Sequence, residues 1–147
     1  QYSVFGADDS EGHEVAGDLL NAFFNQGENM NDQIIEQEII AKGKTAPRIT
    51  PEDIEANIVK EAFFTAAEGI AWNVAMTGYH SKTINTEHTL LTFCVLTLRN
   101  GFTVTGESAC ASPENFDAEI GRKIARANAV QKIWPLMGYE LKTKLNG

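Results

Sequence analysis

The chain is 147 residues long, 43% hydrophobic and 22% charged, which is the size and balance of one globular domain with its own core. Its net charge of −8 argues against binding a nucleic-acid polymer, whose phosphates need basic surface. No apolar run approaches the ~18 residues that span a bilayer, and the start, QYSVFGADDSEGHE, lacks the basic patch and apolar stretch of a secretory signal.

Residues 1–29 read as an extension, outside a single domain at 30–147. Val15, Leu19, Leu20, Phe23 and Phe24 recur at helical spacing, so Glu14–Asn25 is expected as a short amphipathic helix ended by Gly27. Met30-Asn31-Asp32 resembles a start, and Asn31 or Asp32 can cap a helix running to about Ala41, with Gly43 as its stop. Ile49-Thr50-Pro51-Glu52-Asp53-Ile54 is a strong helix start: Thr50 caps, Pro51 opens the first turn, and Ile49 and Ile54 are spaced as a hydrophobic staple. The stripe Ile54, Ile58, Ala62, Thr65 predicts that this helix runs to about Ala67, with a continuation through Ile70, Trp72 and Val74 beyond Gly69. Tyr79–His88 is polar and aperiodic. Its two histidines lack the partners that a metal site needs, so no metal is expected.

Leu90–Leu98 and Phe102–Gly106 are strand-like runs separated by Asn100-Gly101, the signature of a hairpin with a two-residue type I′ turn. That turn sets Leu98 opposite Thr103, Leu96 opposite Thr105 and Cys94 opposite Glu107. It predicts a core face of Phe93, Val95, Thr97, Phe102, Val104, Gly106 and Ser108. The other face keeps Cys94, Leu96 and Leu98, so cover by another subunit or by the N-terminal helices is expected. Gly106 marks a bulge or a close backbone approach. Cys94 and Cys110 fall too far apart along the ribbon for a disulfide, and free thiols fit a reducing cytoplasm.

Ser112-Pro113-Glu114 repeats the cap pattern, and Asp117 offers a second cap. Phe116, Ile120, Ile124, Ala127, Val130, Trp134 and Met137 then form one helical stripe, with Pro135 kinking or stopping it. Gly138 should close the helix, and Tyr139–Lys142 could return as an edge strand. Arg122 and Arg126 lie four apart on the opposite face. They read either as a solvated basic surface turned toward the acidic first half or as a pair that grips a phosphate or carboxylate. Residues 1–98 carry a net charge of −10 and residues 99–147 a net of +2, which leaves room for one compact anion in the second half. The fold class expected is α+β: an antiparallel hairpin or small sheet packed with a long C-terminal helix, plus N-terminal helices.

No nucleophile elbow, P-loop or zinc-hydrolase motif is present. Cys110 as a nucleophile would need His80 or His88 as its base, which sequence does not place beside it. The chain is therefore not expected to be an enzyme, and no cofactor is expected.

The run LTFCVLTLRNGFTVTGESACASPENFDAEIGRKIARANAVQKIWPLMGYEL resembles a small tailed-phage protein family labelled by its Gp forty-nine and gene sixty-six founding members. TAPRITPEDIEANIV looks like the same family's N-terminal pattern, so the resemblance covers about Met30 to Leu145. The hairpin-to-helix segment is also similar to phage anti-Thoeris proteins, which sequester cyclic ADP-ribose or cyclic oligonucleotide immune signals without degrading them. That resemblance implies a counter-defence sponge in the host cytoplasm, assembled as a homo-oligomer with a hexamer as one stoichiometry. It places ligand contacts at Asn100, Phe102, Asn115, Phe116, Arg122 and Arg126. The alternatives are a phage accessory protein that binds a host or phage protein through its hairpin face, and a minor virion component.

Overall fold

A computed structural model describes residues 2–3, 30–78 and 84–147. The expected helix at Glu14–Asn25 and the histidine at position 80 lie outside the described residues. The fold is α+β. A three-stranded antiparallel sheet, β2 (Ile58–Thr65), β3 (Leu91–Leu98) and β4 (Thr103–Cys110), is ordered β4-β3-β2, and a two-residue β1 (Tyr2–Ser3) pairs with Ala109 and Cys110 on β4. The helices are α1 (Met30–Ala41), α2 (Pro51–Asn57), α3 (Ala66–Thr77), the single turn α4 (Thr86–Thr89), α5 (Ala118–Gln131) and α6 (Ile133–Asn146). Among the described residues no helix is long and apolar enough to cross a membrane.

The helix starts follow the local chemistry. Thr50 Oγ1 accepts from Asp53 N at 3.2 Å while Asp53 Oδ2 accepts from Thr50 N at 2.9 Å, a reciprocal capping box behind Pro51. Gly43, at φ +65°, ends α1, and Gly78, at φ +64°, ends α3.

The helix expected to run from Thr50 to Ala67 is overturned: it stops at Asn57 and the chain turns into β2. The four-residue stripe through Ile58 and Ala62 coincided with a two-residue alternation. Glu61 and Phe63 take one face of the sheet, while Lys60, Ala62 and Phe64 take the other. Ile58-Val59 and Phe63-Phe64-Thr65 are strand formers, and Thr65 in extended conformation caps α3 through Glu68 N.

The hairpin register also differs from expectation. Gly101 N donates to Leu98 O at 2.9 Å and Leu98 N to Phe102 O at 2.8 Å, so the loop is Arg99-Asn100-Gly101, three residues instead of two. Only Gly101, at φ +87°, takes the left-handed region, and Asn100 Oδ1 accepts from Phe102 N at 2.9 Å. Thr97 therefore faces Thr103 and Leu96 faces Val104. The one-residue shift reverses the faces of β3. Thr92, Cys94, Leu96 and Leu98 go inward with Val104, Gly106, Ser108 and Cys110, whereas Phe93, Val95 and Thr97 turn outward. Cys94 and Cys110 form no disulfide, as expected, but both lie on the inner face, Cys94 opposite Gly106 and Cys110 with its N–H bonded to Leu90 O, whereas the expected register put them on opposite faces.

Helix α5 lies on that inner face. A Cβ added at Gly106 would sit 2.1 Å from Ala125 O and 2.3 Å from Ala129 N, so strand and helix backbones nearly touch there. This is the close approach that the glycine signalled. The core is Ile54, Cys94, Leu96, Leu98, Val104, Ala125, Ala129, Val130 and Ile133. The expected long helix is present but breaks at Lys132. Pro135 cannot supply an N–H to extend α5, but in the first turn of α6 none is needed. Gly138 does not close it, and Tyr139–Lys142 is helical rather than an edge strand; Glu140 and Lys144 pair along this helix at 2.6 Å.

Candidate functional site

The hairpin turn brings three candidate groups together. Asn100 spends its side-chain oxygen holding the turn, and Phe102 is 55% exposed although aromatic. Arg99 is pinned by its backbone: its N–H donates to Asn57 O at 3.0 Å and to Asn57 Oδ1 at 3.2 Å. Its exposed guanidinium has no ion pair or side-chain hydrogen bond to another described residue.

Asn115 and Phe116 sit at the other end of β4. Asn115 is exposed and closes the 3-10 turn Pro113–Asn115, with its N–H donating to Ser112 O at 3.1 Å; Phe116 is half-buried. The Ser112 side chain makes no cap bond, whereas Asp117 Oδ1 accepts from Ile120 N at 3.0 Å and starts α5. β4 is eight residues long, so its two ends are roughly 23 Å apart, with Phe102 just before one end and Phe116 beyond the other.

On α5, Arg122 is exposed, but Arg126 is already engaged. Its Nη1 and Nη2 meet Glu55 Oε1 and Oε2 at 3.0 and 2.8 Å, and its Nε meets Glu61 Oε2 at 2.8 Å. The bidentate geometry ties α5 to α2 and β2, and the two carboxylates push the guanidinium pKa further up. Arg126 is thus neither solvated nor free. One chain brings Asn100 and Phe102 together and Asn115 and Phe116 together, but it does not gather all six candidates. Sequence reasoning passed over Glu55 and Glu61, whose convergence depends on the turn from α2 into β2. It also passed over Arg99, which the Arg99-Asn100-Gly101 punctuation could have flagged.

Burial pushes the Cys94 thiol up to about 11, with Arg126 opposing and Glu61 adding to the shift, so it stays protonated and a poor nucleophile at neutral pH. Cys110 Sγ donates to Ser112 O at 3.1 Å. His88 Nδ1 accepts from Asn85 N at 3.0 Å and so serves as a helix cap. Among the described residues, no three His, Cys, Asp or Glu side chains group as a metal site.

The fold is thus a small α+β unit with candidate residues beyond both ends of a helix-backed hairpin strand and an arginine–carboxylate cluster tying the helix to the sheet. The chain belongs to the phage protein (N4 Gp49/phage Sf6 gene 66) family, which it matches over residues 49–145, about two-thirds of its length. Helix α1 and everything before it lie outside that match, which begins later than the expected Met30. No curated protein and no solved structure matches the chain.

Proposed function

We propose that this phage protein binds and sequesters a cyclic nucleotide immune signal, a cyclic ADP-ribose isomer or a cyclic oligonucleotide, without degrading it. The observation that carries the reading is the hairpin tip. An exposed aromatic, Phe102, stands three residues from an exposed, uncompensated guanidinium, Arg99. A nucleotide needs these two things, a flat apolar surface for its base and a cation for its phosphate. The similarity of the hairpin-to-helix segment to anti-Thoeris proteins supports the same reading.

The protein acts in this proposal as a homo-oligomer in the host cytoplasm, with sites completed between subunits. The placement of Phe102 and Phe116 beyond opposite ends of β4 supports shared sites, and the partly exposed apolar outer face of the sheet supports assembly. Purified protein is incubated with cyclic ADP-ribose isomers and cyclic oligonucleotides, then heated. Recovery of an intact ligand is the expected result. Recovery of none sinks the reading, and recovery of degraded ligand replaces it with an enzyme.

A second reading is a phage accessory protein that docks on another protein. It is favoured by α3, a twelve-residue helix with no buried residue, whose Trp72 and Met76 are 69% and 65% exposed.

A further inference from the structure

A cavity of about 330 Å³ lies between α2, the hairpin turn and α6. Its apolar lining comes from Ile49, Met137 and Leu141, and Ile49 and Met137 also pack against the core. Its rim carries Asn57, Arg99 and Lys144. An apolar floor with a few convergent polar groups is the usual build of a small-molecule site, and this volume is at the lower end of the range.

Among the described residues, ion pairing leaves two arginines without a carboxylate, Arg99 and Arg122, and of these Arg99 alone borders the cavity. In this acidic chain Arg48 and Arg126 are each held by carboxylates, Arg48 by Glu36 and Arg126 by Glu55 and Glu61. Two carboxylates, Asp53 and Glu140, also border the cavity, and each already has a partner. Asp53 caps α2 through Thr50 N, and Glu140 pairs with Lys144 at 2.6 Å. That last pair is exposed and therefore weak, so Lys144 can turn to a stronger anion while Glu140 accepts from a hydroxyl. The Arg99 backbone is fixed by two hydrogen bonds to Asn57, so its guanidinium starts from a held anchor rather than a mobile loop.

We infer that this cavity binds a small phosphorylated ribose, about one nucleoside monophosphate in size, with Arg99 as the principal phosphate anchor. The phosphate sits at Arg99 and Lys144, the ribose hydroxyls at Asn57 and Glu140, and the less polar part of the ligand over Met137 and Leu141. The assignment rests on the nucleotide-binding reading for its class of ligand. It differs from that reading's expected contacts in giving the anion to Arg99 instead of Arg126.

The test titrates the full chain with 5′-AMP, and with inorganic phosphate as the anion-only control, while NMR follows the Arg99 Nε–H and the Met137 methyl. Saturable shifts at both with 5′-AMP, and at Arg99 alone with phosphate, are expected. Arg99→Gln keeps the backbone N–H that holds the turn and is expected to weaken 5′-AMP about tenfold or more. Absence of saturable shifts, or equal affinity in Arg99→Gln, overturns the inference. If the heat-release assay recovers a cyclic nucleotide equally from wild type and Arg99→Gln, the sponge reading stands and this site falls. If that assay recovers nothing but 5′-AMP still saturates the cavity in wild type alone, the sponge reading falls and this site stands.

Discussion

The two faces of one sheet have opposite fates. Inward, Cys94, Leu96, Leu98 and Val104 are sealed under α5, with Gly106 pressed against its backbone. Outward, Phe64 and Phe93 stack on each other at 5.4 Å, and beside them Ala62 is exposed while Val95 and Thr97 are half-buried. The inner face is a finished core that a single chain completes. The outer face, with α3 beside it, is apolar surface of the kind that waits for a second body. Stability and assembly should therefore separate by strand parity, even residues of β3 governing folding and odd ones association.

The harshest way to break this contrast is Gly106→Ala. Its Cβ would meet helix backbone, which cannot rotate away, and a loss of about 3 kcal/mol or more is expected in urea unfolding. Leu96→Ala, at a side chain with no exposure, should cost about 2–5 kcal/mol. Its neighbour Val95→Ala should cost less than about 1 kcal/mol in the monomer; equal losses would erase the distinction between the faces. Arg126→Gln leaves Glu55 and Glu61 facing each other across partly exposed ground, and about 1 kcal/mol of loss, reduced by added salt, is expected in the same assay.

Alkaline pH offers a subtler probe of the inner face. An exposed thiol ionises near 9.0 but Cys94 near 11, so the unfolded chain releases its proton first. Stability should fall as pH rises through that interval, and Cys94→Ser should flatten the fall. The smallest effect on folding belongs to Trp72→Ser, expected within about 0.5 kcal/mol in unfolding because the ring is mostly exposed. Light scattering should nonetheless show it shifting the protein toward monomer, and an unchanged mass would remove α3 from the interface.

The sequence displayed its boundaries better than its alignments. Thr50-Pro51, Asp117 and Gly43 each mark an end by chemistry confined to a few neighbours, and each marks it in the structure. The hairpin was legible for the same reason, but its register was not. Asn-Gly suits a two-residue turn, and the choice of three was made by which residues could lie under α5. Leu96 and Leu98 fill that space, and Gly106 has to meet Ala125 and Ala129. β2 was hidden because Ile54, Ile58, Ala62 and Thr65 satisfy a helical period by accident, while its strand character depends on β3, a partner strand further down the chain. The candidate site was half legible. Phe102 and Arg126 are conspicuous as residue types, but whether a guanidinium is free depends on carboxylates from other elements.

Helix α1 is built in reverse. Asp32 accepts from Trp134 Nε1 at 3.3 Å and from Gln131 Nε2 at 3.2 Å, and Glu36 grips Arg48, while Ile34, Ile35 and Ile40 are exposed. Its polar side is the attached side. The consequence is a latch made of ionic and hydrogen-bonding contacts instead of oil. The Arg48 hydrogen bonds hold the Glu36 carboxyl below its usual range, so its contribution is present at neutral pH and is lost as pH falls from the usual carboxylate range through that lowered value. Salt should loosen this latch where it would tighten a greasy one, making α1 a removable arm that carries three isoleucines on its outer side.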